Sequence, residues 1–345
     1  MAEISSGFVE TRDLRMHYLQ AGVGDPVVLI HGFPETSHEW LHQLAVLGDE
    51  YAVFAPDTRG MGQTDKPGIR VSRHLLAQDI INFMDALGLE RAAVVGHDWG
   101  GIIAFKVAID WPERVTRLAL LDTLCTTWAI YGVHGYWYKA KPYPEELFAR
   151  FNQQYIESSF TGVSYPELPG RPYSTSVPRP GMKRWISDEG LAHYKAAFAD
   201  PMSQWHAIQY YRYALPFHEV VADESAPHGE RYVALDELEV AEMWNHPGGI
   251  EQHPRWKGNY MDFGPEDRHK RFLAPTLYAY SGQLSGPKGA LRPVDEIPRG
   301  NPFVDQYTRY FPDLRARRME AGHFFPEETP EVTTAMLREF LAGRI

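Results

Sequence analysis

Glycines bracket one acidic residue in the run Gly96-His97-Asp98-Trp99-Gly100-Gly101. An apolar stretch, Ala92 to Val95, precedes it, and another, Ile102 to Ile109, follows. That order predicts a strand, a sharp turn and a helix, with Asp98 raised out of the turn as a nucleophile. The residue type then decides the chemistry. A carboxylate attacking an acyl carbon gives a labile anhydride. One attacking a saturated carbon gives an ester, which water can later cleave. Asp98 therefore points to opening an epoxide or displacing a halide.

Such a nucleophile needs a base to activate water, an acid to orient the base, and donors for the oxyanion that forms when water attacks the ester. His323, in Gly322-His323-Phe324-Phe325 near the C-terminus, is the expected base. Asp122 follows the apolar run Leu118–Leu121, 24 positions after Asp98, and is the expected orienting acid. Its rival is Asp295, 28 positions before His323. The backbone N–H groups of Trp99 and of Phe33, in His31-Gly32-Phe33-Pro34, are the expected oxyanion donors.

HGFP at 31–34, Asp57-Thr58-Arg59-Gly60-Met61-Gly62, GHDWGG at 96–101 and GHFF at 322–325 together make the chain resemble the α/β-hydrolase superfamily. The resemblance is to its epoxide hydrolase and dehalogenase branch. It implies a cap whose tyrosines protonate the oxygen of an opening epoxide. Tyr211, within Tyr210-Tyr211-Arg212, matches one such tyrosine. The second donor stays open among His134, Tyr136 and Tyr138. Tyr136, Trp137, Tyr138 and Tyr210 are expected to wall the substrate cavity. Fluoroacetate dehalogenases carry arginines one and four positions after the nucleophile. Here Trp99 and Ile102 stand there, which argues against short haloacids. Haloalkane dehalogenases use a tryptophan after the nucleophile to hold halide, so Trp99, with Trp137 in the cap, keeps a dehalogenase as runner-up. A receptor-like member would usually lack a catalytic residue, and none is missing here.

The elements that must position these residues are legible in outline. Val27–Ile30, Ala52–Ala55, Ala92–Val95, Leu118–Leu121 and Ala274–Tyr280 read as buried strands. Helical patterns at Glu39–Leu47, His74–Leu87 and Gly101–Asp110 lie between the first four, implying a mostly parallel sheet flanked by helices. Reactive loops belong at the carboxyl ends of such strands. From Cys125 to Arg271 aromatics become dense and strand alternation is not evident. The expected organisation is an α/β-hydrolase core over 1–125 and 272–345, with an inserted, mainly helical cap over 126–271. Within it, Tyr165–Gly181 reads as irregular and Asp200-Pro201 as a helix start. Thr329 is expected to cap a final helix near Pro330–Leu341.

Composition narrows the partners. A net charge of −11 disfavours nucleic acid and anionic membranes. Cys125 is the single cysteine, so neither an internal disulfide nor a cysteine metal cluster is expected. No apolar run approaches a membrane span, and a soluble, cytoplasmic protein is the expectation. The expected partners are a small apolar epoxide or halogenated substrate and water, with no cofactor, and the reading allows a homodimer. His38-Glu39-Trp40-Leu41-His42 formally matches a zinc-peptidase motif. It falls directly after HGFP with no third ligand specified, so metal is not expected. Asp57 and Arg59 are read as turn braces.

Overall fold

The computed structural model describes every residue except 130–132, 164–183, 249–251, 256–259, 282–291 and 294–301. Along the chain come β1 (Ile4–Glu10), β2 (Arg15–Ala21), β3 (Pro26–Ile30), α1 (Leu41–Leu47), β4 (Ala52–Pro56), α2 (Arg73–Ala86), β5 (Ala92–His97), α3 (Trp99–Asp110) and β6 (Val115–Leu121). Next are β7 (Thr127–Ala129), α4 (Val133–Trp137), α5 (Tyr143–Thr161), α6 (Asp188–Ala197) and α7 (Pro201–Gln209). A π-helical turn, Tyr210–Ala214, continues α7. After it lie β8 (His218–Ala222), β9 (Glu230–Ala234), α8 (Glu237–Trp244) and β10 (Tyr260–Asp262). The chain ends with β11 (Thr276–Tyr280), β12 (Arg292–Pro293), α9 (Pro302–Asp305), β13 (Leu314–Arg318), α10 (Phe325–Glu328) and α11 (Pro330–Leu341).

Nine strands form one sheet, in the order β1-β2-β4-β3-β5-β6-β11-β13-β12. β4, β3, β5, β6, β11 and β13 run parallel, and β1, β2 and β12 pair antiparallel at the two edges. Every residue of β5 is buried, as a strand covered on both faces requires. α3 is buried from Trp99 to Ile109 and has no polar face to give to water.

The segment from 127 to 262 lies off this sheet. Its helices carry local start signals. Ser187 Oγ accepts from Gly190 N–H at the head of α6. Asp200 Oδ1 accepts from Met202 N–H, with Pro201 opening α7. Beside these helices, four strands that showed no alternation in the sequence, β7, β10, β8 and β9, form a second, antiparallel sheet. They are only three to five residues long, and β8 and β9 are half-exposed, so no buried alternation marks them. Tyr165–Gly181 lies outside the described residues. Thr329 precedes α11 as expected but makes no cap bond; its hydroxyl donates back to Phe325 carbonyl oxygen.

Candidate active site

β5 ends at His97, and Asp98 takes φ 48° and ψ −116°, a conformation costly for any residue with a side chain. Close approach of glycines makes the turn possible. A Cβ on Gly100 would lie 2.0 Å from the Ile30 carbonyl oxygen, and one on Gly96 2.1 Å from the Gly100 carbonyl oxygen. The turn is pinned from β6 as well: Asp98 N–H donates to Leu121 carbonyl oxygen, and Thr123 Oγ1 donates to the Asp98 carbonyl oxygen.

The two carboxylate oxygens of Asp98 face different partners. Phe33 N–H donates to Oδ1 at 3.0 Å. His323 Nε2 stands 3.5 Å from Oδ2. Trp99 opens α3, so its N–H has no acceptor within the helix. The HGFP loop is held by His31, which donates from Nδ1 to Gly32 carbonyl oxygen and accepts Thr58 N–H at Nε2.

Asp122 sits one residue past β6, also at positive φ. Its Oδ2 accepts from His323 Nδ1 at 2.6 Å, and its Oδ1 accepts Ser281 N–H at the end of β11. The structure thus brings Asp98, His323 and Asp122 together; Asp295 lies outside the described residues. Burial opposes charge on Asp98, yet His323 beside it holds its carboxyl down to about 2. Burial likewise opposes charge on His323, but hydrogen bonds to Asp122 and Asp98 lift it to about 9. The resting pair is carboxylate and imidazolium.

Over Asp98 lies an aromatic roof. The rings of Tyr211 and Tyr138 stack at 4.1 Å and 14°. Phe33 and Trp99 meet Tyr211 edge-on at 5.9 and 5.0 Å. Burial first, and then other groups including the charge on Asp98, push both phenols well above the ordinary tyrosine range, so both stay protonated. Tyr138 Oη donates to Tyr155 Oη at 2.8 Å. Sequence reading missed Tyr155, a tyrosine on an amphipathic helix with no motif around it. Among the other expected wall residues, Trp137 packs edge-on against Tyr138 at 4.7 Å. Tyr136 is buried against Phe217. Tyr210 meets Trp99 edge-on at 5.1 Å, and its hydroxyl donates to the Arg59 carbonyl oxygen. His134 falls in α4, but its side chain lies outside the described set.

Behind His323 is a cluster that sequence reading also missed. His97 Nε2 meets the His323 carbonyl oxygen at 2.9 Å. His97 Nδ1 faces Glu35 Oε2 at 3.1 Å and Glu39 Oε1 at 2.9 Å, with all three side chains fully buried. Burial opposes charge on His97, but the two glutamates raise it well above the ordinary histidine range. Burial and Glu35 together lift Glu39 to about 8. Among the described residues, these three are the group whose donor atoms lie close enough to hold a cation; a protonated His97 fills the same need.

The zinc-peptidase pattern does not form a site. The 3₁₀ turn Ser37–Trp40 gives way to α1 at Leu41, so His38 and His42 do not share one helix face. His38 stacks on His193, and His42 Nδ1 meets Thr334 Oγ1. Asp57 and Arg59 brace the turn as expected. Asp57 accepts from Ser37 N–H and Gln63 N–H, and Arg59 makes a buried two-bond pair with Asp79.

Comparison with known proteins supplies the family. The family description "alpha/beta hydrolase fold" matches residues 25–298. Epoxide hydrolase 4 of Mus musculus is 31% identical over 258 residues, 68% of each chain. The chain belongs to the α/β-hydrolase superfamily, in its epoxide hydrolase branch. This hydrolase is also 41% identical over 110 residues to the soluble epoxide hydrolase of Corynebacterium sp. (strain C12), a match spanning 32% of this chain and 38% of that one. Among solved structures, epoxide hydrolase CorEH without ligand superposes with a TM-score of 0.68 at 21% identity, covering 99% of this chain and 100% of the other. At that identity the likeness speaks for the fold alone.

Proposed function

We propose that this hydrolase opens an epoxide to a vicinal diol through an ester on Asp98. The observation that carries the reading is the division of labour between the Asp98 oxygens. Oδ1 is held by Phe33 N–H, whereas Oδ2 is the free nucleophile facing His323. Oδ2 attacks a ring carbon, the C–O bond breaks, and the released oxygen takes a proton from Tyr211, with Tyr138 as the second donor once its hydroxyl turns from Tyr155 to the substrate oxygen. Both phenols are in the protonated form that donation needs. Esterification removes the Asp98 charge. His323 then loses one of the two partners that hold its proton, and can give that proton to solvent. Neutral His323, oriented by Asp122, takes a proton from water as the water attacks the ester carbonyl. The oxyanion forms on Oδ1, between the N–H groups of Phe33 and Trp99. On collapse the bond to the product oxygen breaks, and His323 gives that oxygen its proton. The Asp98 carboxyl passes its own proton to His323 to restore the resting pair, and solvent reprotonates the phenolate. The aromatic roof favours small apolar epoxides.

The test is a paired assay on purified protein, with aromatic epoxides in one half and haloalkanes and haloacetates in the other. Diol without halide is the expected result. Halide without diol would reassign the leaving group and reduce Tyr211 to packing. In His323→Gln, the ester should accumulate as added mass on the Asp98 peptide. A variant that turns over at the parent rate without added mass would remove His323 as the base.

A further inference from the structure

Tyr211 sits in a π-helical turn that ends badly by the ordinary rules. The turn closes at Ala214 with Leu215 as C-cap, and the next residue is Pro216. Helix ends usually satisfy their last carbonyls with the N–H of the residue after the cap. Proline has none. The missing donors come from another element. Lys139 is 3% exposed, and its Nζ donates to the carbonyl oxygens of Tyr211 at 2.6 Å, Arg212 at 3.4 Å and Leu215. Burial, and then Arg212, push the Lys139 ammonium well below the ordinary lysine range, but the three carbonyl acceptors oppose that shift, because only the charged form has three donors to satisfy them. The end of a helix is where a cation is electrostatically favoured. Phe217 lies beneath, with Nζ 4.4 Å from its ring centroid. Arg212, the nearest like charge, is drawn off by Glu145.

Lys139 directly follows Tyr138. The two segments are thus joined twice within one residue of each other: ring on ring at 4.1 Å, and ammonium on the Tyr211 carbonyl at 2.6 Å. We infer that Lys139 is a positioning residue for ring opening, its ammonium closing the Pro216-terminated turn and holding the Tyr138–Tyr211 stack over Asp98. The inference rests on the proposed role of Tyr211 as proton donor. Lys139 touches none of Asp98, His323 and Asp122, so it acts on ester formation and leaves ester hydrolysis alone.

Single-turnover kinetics separate the two steps. Styrene oxide is mixed with excess enzyme, and the ester on Asp98 is followed by quenching and mass measurement through its rise and decay. In Lys139→Met the rise should slow by about 10- to 100-fold, the scale of an ångström-sized misplacement, while the decay stays within about twofold. Lys139→Gln, which keeps two of the three donors, should be intermediate, and it carries the test if the Met variant does not fold. A folded variant that forms ester at the parent rate overturns the inference. So does equal slowing of rise and decay, which is the mark of general destabilisation. Tyr211→Phe runs in parallel. If it forms ester at the parent rate, the donor assignment itself has failed, whatever the Lys139 variants do.

Discussion

Asp98 and His323 set each other's charge. His323 holds its proton to about pH 9 because two carboxylates surround it, and one of these is the nucleophile. In the proposed mechanism, a base with that pKa is useless at neutral pH until Asp98 is esterified. Asp98→Asn imitates the ester by removing the charge and keeping the shape. The His323 imidazole, followed by NMR, should then titrate well below 9. A midpoint that does not move would mean that Asp98 is not the partner that matters. Asp122→Asn should leave ester formation intact and slow ester hydrolysis, on the order of 10⁴-fold if it behaves like the acid of a serine triad. Accumulated ester in a quenched sample checks this. The buried Glu35–His97–Glu39 group gives the base loop a charged floor, with the His97 ring 4.8 Å from that of His323.

At the scale of elements, the site depends on how closely α3 can approach β3 and β5. Gly100 permits that approach, because any Cβ there would overlap Ile30. Gly100→Ala should cost more than about 2 kcal/mol, the upper part of the range for overpacking a filled core. A urea unfolding midpoint measures it. An unchanged midpoint would show that the strand–helix contact yields more readily than its distances imply. Loops after β5 and β6 supply the nucleophile and the orienting acid, and the loop after β13 supplies the base. That agrees with the rule that reactive groups gather at the carboxyl ends of parallel strands.

Across the whole molecule, the 127–262 segment is fastened to the core by a few polar contacts. Tyr210 Oη donates to Arg59 carbonyl oxygen, and Tyr194 Oη donates to Glu327. His193 meets Thr36 and stacks on His38 at 4.2 Å. This seam is sensitive to acid. Burial first, and then His193 beside it, lower His38 to about 4, and burial lowers His193 and takes His206 to about 4. Their unfolded forms bind protons below about pH 6.5, while the folded forms refuse them. The share of stability owed to these histidines therefore falls as pH drops from about 6.5 to about 4, whereas Glu39, lifted to about 8, stabilises as pH falls from about 8 to about 4.5. His97 and His323 have raised values, so their stabilisation is fully present below 6.5 and does not offset this loss. The histidine share is read by difference: between pH 7.5 and pH 5 the parent should lose more melting temperature, or gain less, than the His38→Gln, His193→Gln double variant. An equal slope in the double variant would place the acid-labile groups elsewhere. Among the described residues no helix is long and apolar enough to cross a membrane.

The sequence by itself determined the strand–elbow–helix around Asp98 and the mostly parallel core sheet, and it singled out His323 as the candidate base. These are written in local patterns: apolar runs, glycines at fixed offsets, a histidine before the last helix. It also named Asp122, though only as one of two acids. Tertiary structure alone decided the rest. Placing Asp122 on His323 requires β6 and β11 to be neighbours, and 201 positions separate the two residues. The stack of Tyr138 on Tyr211, the Tyr155 partner and the Lys139 latch join segments that share no period or motif. The small antiparallel sheet went unread because its strands are short and half-exposed. The two histidines of the formal zinc pattern take separate partners, His193 and Thr334. A motif records what one segment can do, whereas stacking and charge depend on which segments the fold presses together.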